Sequence, residues 1–446
     1  MTKLSKLYEM NETEIYQFIN KHIPIKEHEK DKYGEVFTSP LLIEKMLNLF
    51  PSNVWTNHEL KWLDPSTGTG FYMIFVYTRL MKGLKSWEAN EEKRSKHIIE
   101  KMLYMVEINN TNCEICKGLF GTQINLICSD FLDEIKFKTN KNMLFDCIVG
   151  NPPYQDDYGL TNNGKRINGG KSKLYERFFL KCVSLLQPNG YLSFVVPNNI
   201  FSGNGSKSYN MILENYVRFV SFNPNNSQYF PKIQQPVCYF ILHKTNNNKD
   251  TTIEYADNKL FKVKLLDRPV NPIQEWMPKT EKLIHKFVSN NRNNTVYNRG
   301  KNIDSYKGDK YKIVYKPSKM LHTNNLDLTA GYGIKKAIIF SMSNDLEFKM
   351  DYSGKLGAGP NTFYIPFMNA SDGKKLEAFL NSKEYKILAK ATKSTRQYLK
   401  ISFIEYIKLT NIFKKHKTRK AKKTTRRTKK RRTGSKKTKN ITHKHK

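Results

Sequence analysis

The chain has 446 residues, 39% of them apolar and 12% aromatic, which is enough to bury a substantial core and excludes a chain disordered throughout. Mean hydropathy is −0.63, and no apolar run approaches the roughly 18 residues of a membrane span, so a soluble protein with no membrane partner is expected. The formal net charge is +36, and 18 of the 76 Lys and Arg residues, with none of the 40 acids, fall in residues 414–446, which read as a disordered cationic tail seeking a polyanionic partner.

Residues 1–32 scatter Leu4, Leu7, Ile15, Phe18 and Ile19 among charges and read as a short helical arm. They hold no apolar stretch of signal-peptide kind, so the product is expected inside a cell, in cytoplasm or nucleus, with its six cysteines as reduced thiols. Cys113 and Cys116 lack the second pair or the histidines of a zinc site, and no metal is implied. From Tyr33 to about His243, β-rich runs at 61–63, 102–106, 124–128, 145–149, 191–196, 218–222 and 237–242 alternate with helical stretches at 71–84, 111–120, 173–186 and 207–213. That alternation predicts an α/β domain over 33–250, built on a mostly parallel sheet with helices on both faces. The last two runs lack a clear helix between them, which predicts one antiparallel edge strand. Beyond Asp250 the pattern loosens into short strands, a helix near 280–288, Gly-rich turns and a closing helix over 374–391, a second domain (251–413) whose fold is not readable.

Two motifs carry chemistry. Asp64-Pro65-Ser66-Thr67-Gly68-Thr69-Gly70 lies between a predicted strand and a predicted helix, where glycines permit a tight turn and the helix start offers free N–H donors. It lacks both the full dinucleotide fingerprint and a Walker lysine. The strand 145–150 then runs straight into Asn151-Pro152-Pro153-Tyr154. Consecutive prolines end the strand rigidly, so the Asn151 carboxamide and the Pro152 carbonyl converge as two acceptors that suit a planar NH2 group, and Tyr154 offers a face on which a base stacks.

With these motifs the chain resembles the gamma class of S-adenosylmethionine-dependent N6-adenine DNA methyltransferases of type II restriction-modification systems. The resemblance implies a Rossmann-like class I methyltransferase sheet followed by a C-terminal target-recognition domain. It implies catalytic roles for Asn151, Pro152, Pro153 and Tyr154, and cofactor contacts from Asp64, Pro65, Gly68 and Gly70, from Glu107 toward the ribose, and from Asp130 with Phe131 toward the adenine. A further cofactor element resembles Tyr33 to Pro40, with Phe37 and Thr38 as its contacts; the family usually has Pro directly after the Thr, whereas Ser39 intervenes here. Glu107 follows Asp64 at about twice the usual offset of roughly 20 residues, with the charged stretch 82–101 as the insertion and Glu100 as the competitor. Phe230, before Pro231, resembles the aromatic that packs on the target base opposite Tyr154, and Pro197-Asn198-Asn199 resembles the wall of the same pocket.

The function so implied is methyl transfer from S-adenosylmethionine to N6 of an adenine flipped out of double-stranded DNA, with a separate cognate restriction endonuclease as a partner. The rivals are RNA-adenine or protein-glutamine methyltransferases sharing the turn, a fused nuclease, and a non-enzymatic DNA-binding protein on the same fold. Residues before Tyr33 are too few for a nuclease domain, and Asp327 with Glu347-Phe348-Lys349 is a loose nuclease match. Arg292, Arg299, Tyr332 and Arg396 are candidate DNA contacts that sequence does not rank. The Lys- and Asn-rich composition points to an AT-rich, viral kind of genome.

Overall fold

A computed structural model describes residues 7, 10, 14, 17, 38–133, 143–154, 173–201, 206–223, 226, 229–230, 236–247, 249–255, 258–265, 278–289, 291–298, 303–341, 347–392 and 401–413. Tyr33 to Phe37, Pro231, Arg299, Arg396, most of the N-terminal arm and the whole of 414–446 lie outside them. The first sheet comprises β1 (Trp62–Asp64), β2 (Leu103–Glu107), β3 (Asn125–Cys128), β4 (Phe145–Gly150), β5 (Leu186–Pro197), β6 (Asn215–Ser221), β7 (Val237–Asn246), β8 (Thr251–Tyr255) and β9 (Lys259–Val263). Their spatial order is β3-β2-β1-β4-β5-β7-β6-β8-β9. Strands β1 to β5 pair in parallel, and β7 runs antiparallel to both β5 and β6. The antiparallel strand is therefore present but is not the edge expected for it, because β6, β8 and β9 extend the sheet beyond it. The sheet also runs on to Val263, past the domain boundary expected at residue 250.

Side chains alternate across this sheet. Trp62, Cys147, Val149, Val195 and Ile241 join one buried cluster with α1 (Pro40–Leu47) and α2 (Phe71–Gly83). Leu63, Ile148, Phe194, Val196 and Phe240 join the other with helix 174–185. Burial on both faces explains why these strands read as near-continuous apolar runs. Between β1 and β2 the charged insertion folds as α3 (Glu91–His97) and a π-turn over Ile98–Met102. The remaining helices of this region are α4 (Asn110–Phe120), α5 (Leu174–Leu185) and α6 (Lys207–Glu214).

The second region starts with α7 (Pro278–Phe287) and holds β10 (Val296–Asn298), β11 (Tyr311–Lys316), β12 (Lys319–Thr323), β13 (Lys336–Phe340), β14 (Phe348–Asp351), β15 (Leu356–Ala358) and β16 (Thr362–Pro366). They form a four-stranded sheet, β10-β16-β13-β14, and a three-stranded one, β12-β11-β15. The single helix expected over 374–391 is two, α8 (Ala370–Leu380) and α9 (Lys383–Ala391), because the Ser382 hydroxyl accepts from the Tyr385 N–H at 3.1 Å and restarts the helix. Among the described residues no helix is long and apolar enough to cross a membrane.

Candidate active site

The order of the sheet reverses between β1 and β4, so a crevice opens at the carboxyl ends of these adjacent strands. Asp64 ends β1, Glu107 ends β2, and Gly150 ends β4 immediately before Asn151. Both predicted motifs therefore meet at one place. The Ser66 hydroxyl donates to the Asn151 carbonyl at 3.4 Å, which ties the Gly-rich loop to the double-proline turn. Gly68 and Gly70 both hold positive φ, 54° and 85°, and Gly70 starts α2 beside the Phe120 ring. A Cβ on Gly150 would stand 2.9 Å from Asp64 Oδ1, so the loop and the turn approach as closely as glycine allows.

Asn151 points its amide Nδ2 at Thr38, donating to Thr38 Oγ1 at 3.1 Å. Pro152 is buried and Tyr154 half-buried. The Tyr154 ring meets Tyr175 edge-on at 6.4 Å, and its hydroxyl has no hydrogen-bond partner among the described residues. Burial pushes that hydroxyl well above its ordinary pKa, so it stays neutral.

Asp64 is fully buried; Oδ1 accepts from the Ser66 N–H at 3.1 Å, while Oδ2 has no partner of ordinary hydrogen-bond geometry among the described residues. Burial, reinforced by the Glu107 charge and opposed by the Ser66 N–H, pushes its carboxyl up to about 8. Glu107 accepts from the Gly68 N–H at 2.7 Å through Oε2 and from the Asn109 N–H at 2.8 Å through Oε1. Glu100, the competitor, lies in the π-turn before β2, where its carbonyl accepts from Asn125 Nδ2 at 3.0 Å. Asp130 follows β3 and accepts from the Leu132 N–H at 2.8 Å. Phe131 packs inward on Phe178, ring centroids 5.0 Å apart.

Other expected site residues fall differently. Phe37 lies outside the described residues, whereas Thr38 is buried at the turn. Ser39, the residue that departs from the family pattern, caps α1 by accepting from the Leu42 N–H at 3.3 Å, with Pro40 opening the helix. Phe230 is a core residue, 1% exposed. The half-buried aromatic beside it is Tyr229, whose hydroxyl accepts from Lys45 Nζ at 3.1 Å. Tyr72, which sequence reasoning missed, is buried against the same turn two residues after the Gly-rich loop. The cysteine expectation is corrected: Cys113 and Cys128 form a disulfide, because the start of α4 and the end of β3 bring their Cα atoms to 6.2 Å. The free cysteines are Cys116, Cys147, Cys182 and Cys238, all buried.

A reversed parallel sheet with an antiparallel seventh strand, a Gly-x-Gly turn after β1 and acids at the next two strand ends define the class I S-adenosylmethionine-dependent methyltransferase fold. Residues 81–230 match the Eco57I restriction-modification methylase family. The chain is 27% identical over 297 residues to an uncharacterized adenine-specific methylase of Mycoplasma pneumoniae, a match covering 48% of this chain and 68% of that one. It is 29% identical over 185 residues to the modification methylase CviBIII of Paramecium bursaria Chlorella virus NC1A, covering 41% and 42% of the two chains. Among solved structures, a nuclease-deletion mutant of the Type ISP restriction-modification enzyme LlaGI, in complex with a DNA substrate mimic, superposes with a TM-score of 0.52 at 11% identity, over 83% of this chain and 46% of that one. The resemblance read from the motifs is borne out, and an adenine-specific DNA methyltransferase of the restriction-modification kind is the enzyme these relatives support.

Proposed function

We propose that this chain transfers the methyl group of S-adenosylmethionine to N6 of a flipped-out adenine in double-stranded DNA. The observation that carries the reading is the contact between the two loops, with the Ser66 hydroxyl on the Asn151 carbonyl. The crevice suits the cofactor. Asp64 presents a buried oxygen without an ordinary partner, as expected where a cation is to be received, and a Cβ on Gly68 would meet open space. Asp64, Pro65, Gly68 and Gly70 would hold the methionine portion with Phe37 and Thr38, Glu107 the ribose, and Asp130, backed by Phe131, the adenine. Once bound, the cofactor supplies an electrophilic methyl group on a sulfonium.

The chain's own residues then act by placement. Asn151 Oδ1 and the Pro152 carbonyl accept both hydrogens of the adenine amino group, which localises the nitrogen lone pair and prepares the nitrogen to shed a proton after transfer. Tyr154 stacks on the base, and Phe230 braces it through the core cluster on which Tyr154 packs. Pro153 fixes the turn, and a neutral Tyr154 hydroxyl brings no charge near the sulfonium. Residues 33–250, with the sheet's continuation to Val263, form the catalytic domain, 251–413 the target-recognition domain, and 414–446 a salt-sensitive DNA tether. A separate endonuclease completes the system.

The test is incubation of the full chain with labelled S-adenosylmethionine and, in separate arms, duplex DNA, RNA and protein. N6-methyladenine in the DNA arm is expected, and Asn151→Ala should lower turnover by about a hundredfold or more with cofactor binding retained. Label in RNA or protein alone, or full turnover by Asn151→Ala, overturns the proposal.

A further inference from the structure

Asn151 is useful only if its carboxamide faces the substrate with oxygen rather than nitrogen, since an NH2 in that place would meet the hydrogens of the target amine. The side chain's shape does not choose between the two orientations; its neighbours must. Nδ2 donates to Thr38 Oγ1 at 3.1 Å across 113 residues of sequence. A threonine hydroxyl alone leaves the matter open, because it serves as donor or acceptor. The residue behind Thr38 decides. The Tyr72 oxygen is within hydrogen-bonding reach of the Thr38 side chain, and the Tyr72 O–H itself is directed at Met46 Sδ, 3.4 Å away. The Tyr72 proton goes to sulfur, which donates nothing in return, so the Tyr72 oxygen accepts the Thr38 proton. Thr38 Oγ1 then has only lone pairs left for Asn151. Thr38 and Tyr72 are both buried, 5% exposed, so water does not scramble the order.

We propose that Thr38 and Tyr72 are positioning residues that set the polarity of the Asn151 amide, in a one-way chain from Asn151 to Thr38 to Tyr72 to Met46. The inference rests on the methyltransferase reading of Asn151. It assigns the Thr38 hydroxyl to the amide and leaves any contact of Thr38 with the cofactor to its main chain. Its elements come from three places: the segment before α1, the second residue of α2, and the end of α1.

Three variants of the full chain test it: Thr38→Val, which keeps the shape and loses the acceptor; Thr38→Ser, which keeps it; and Tyr72→Phe, which frees the Thr38 proton. Thr38→Val should lower kcat about tenfold or more while cofactor affinity stays unchanged. Thr38→Ser should restore kcat, and Tyr72→Phe should fall between them. In isotope-labelled asparagine spectra, the side-chain NH2 signals lost in Asn151→Ala should shift in Thr38→Val and Tyr72→Phe and stay in place in Thr38→Ser. Unshifted signals in Thr38→Val, or a loss confined to cofactor affinity, overturns the proposal. If the unaltered chain methylates no DNA, the functional reading fails, while the amide signals still decide the hydrogen-bond chain.

Discussion

Asp64 in the first sheet and Asp351 in the second region are both shut away from solvent, at 0% and 2% exposure, yet their surroundings are opposites. Asp351 Oδ2 accepts from Lys336 Nζ at 2.8 Å and from the Leu356 N–H at 3.0 Å, and Oδ1 from the Ser353 hydroxyl at 2.9 Å. Lys336 faces it directly across the β13–β14 pair and also donates to the Ile334 carbonyl at 2.9 Å. Burial alone would push the Asp351 carboxyl up, but these donors and the Lys336 charge outweigh it and hold it below the usual carboxylate range. Asp64 has one N–H donor, a like-charged neighbour in Glu107 and no buried cation. Where every lone pair is met inside the protein, the carboxylate is a fastener; where one is left over, stability is given up for something that arrives from outside.

The largest effect expected from this contrast is on stability in the second region. Asp351→Ala leaves the Lys336 ammonium buried and unpaired, which should cost about 3–5 kcal/mol, read as a lower denaturant midpoint. Replacing Lys336 and Asp351 together with Met and Leu should cost far less, since it removes the charge along with its partner. The pH dependence has a definite sign. A depressed carboxylate contributes stability above its unfolded value near pH 4 and loses it as the pH falls through the lower folded value, so the pair should weaken only in acid. Equal losses for the single and double variants would dissolve the contrast.

Asp64→Asn should go the other way. A carboxyl raised to about 8 costs the folded state nothing below pH 4. Between that pH and about 8, ionisation is increasingly resisted, and the unfolded chain is favoured. The variant should therefore gain about 1–3 kcal/mol near pH 8 and nothing at pH 4, while cofactor affinity falls. Thermal unfolding against pH, beside a cofactor titration, reads both. A variant that loses stability at pH 8 would mean Asp64 is a fastener after all.

The same difference bears on what the sequence disclosed. β1 to β7 were legible to within a few residues because both of their faces are covered and the apolar runs are nearly unbroken. The acids at their ends followed from that. In the second region β10 and β15 are three residues long, and β10 pairs Val296 with Tyr364, a partner far along the chain that no local pattern announces. Helix α1 went unseen although Ser39-Pro40 is an N-cap followed by proline, because that segment had been read as part of a cofactor loop. Residue types and spacing brought Asn151 and Asp64 to one crevice. That Thr38 rather than solvent meets the Asn151 amide, and that Phe230 is core, depended on packing across the sheet.

The smallest expected effect probes how tightly the ligand-facing region is built. Gly150 has an ordinary φ, so alanine there meets no backbone obstacle. Its new methyl would, however, lie 2.9 Å from Asp64 Oδ1 and 3.4 Å from Pro65 Cδ. Either the Gly-rich loop or the double-proline turn must yield, at about 1–3 kcal/mol, and methyl transfer should fall more than cofactor binding, because the distance between the two loops is what changes. Gly118 in α4 supplies the counterpart: its methyl would meet nothing within 4 Å. Gly118→Ala should gain about 0.5–1 kcal/mol through helix propensity alone, with activity intact. If Gly150→Ala behaved like Gly118→Ala, the two loops would not be in the close contact on which the proposed chemistry depends.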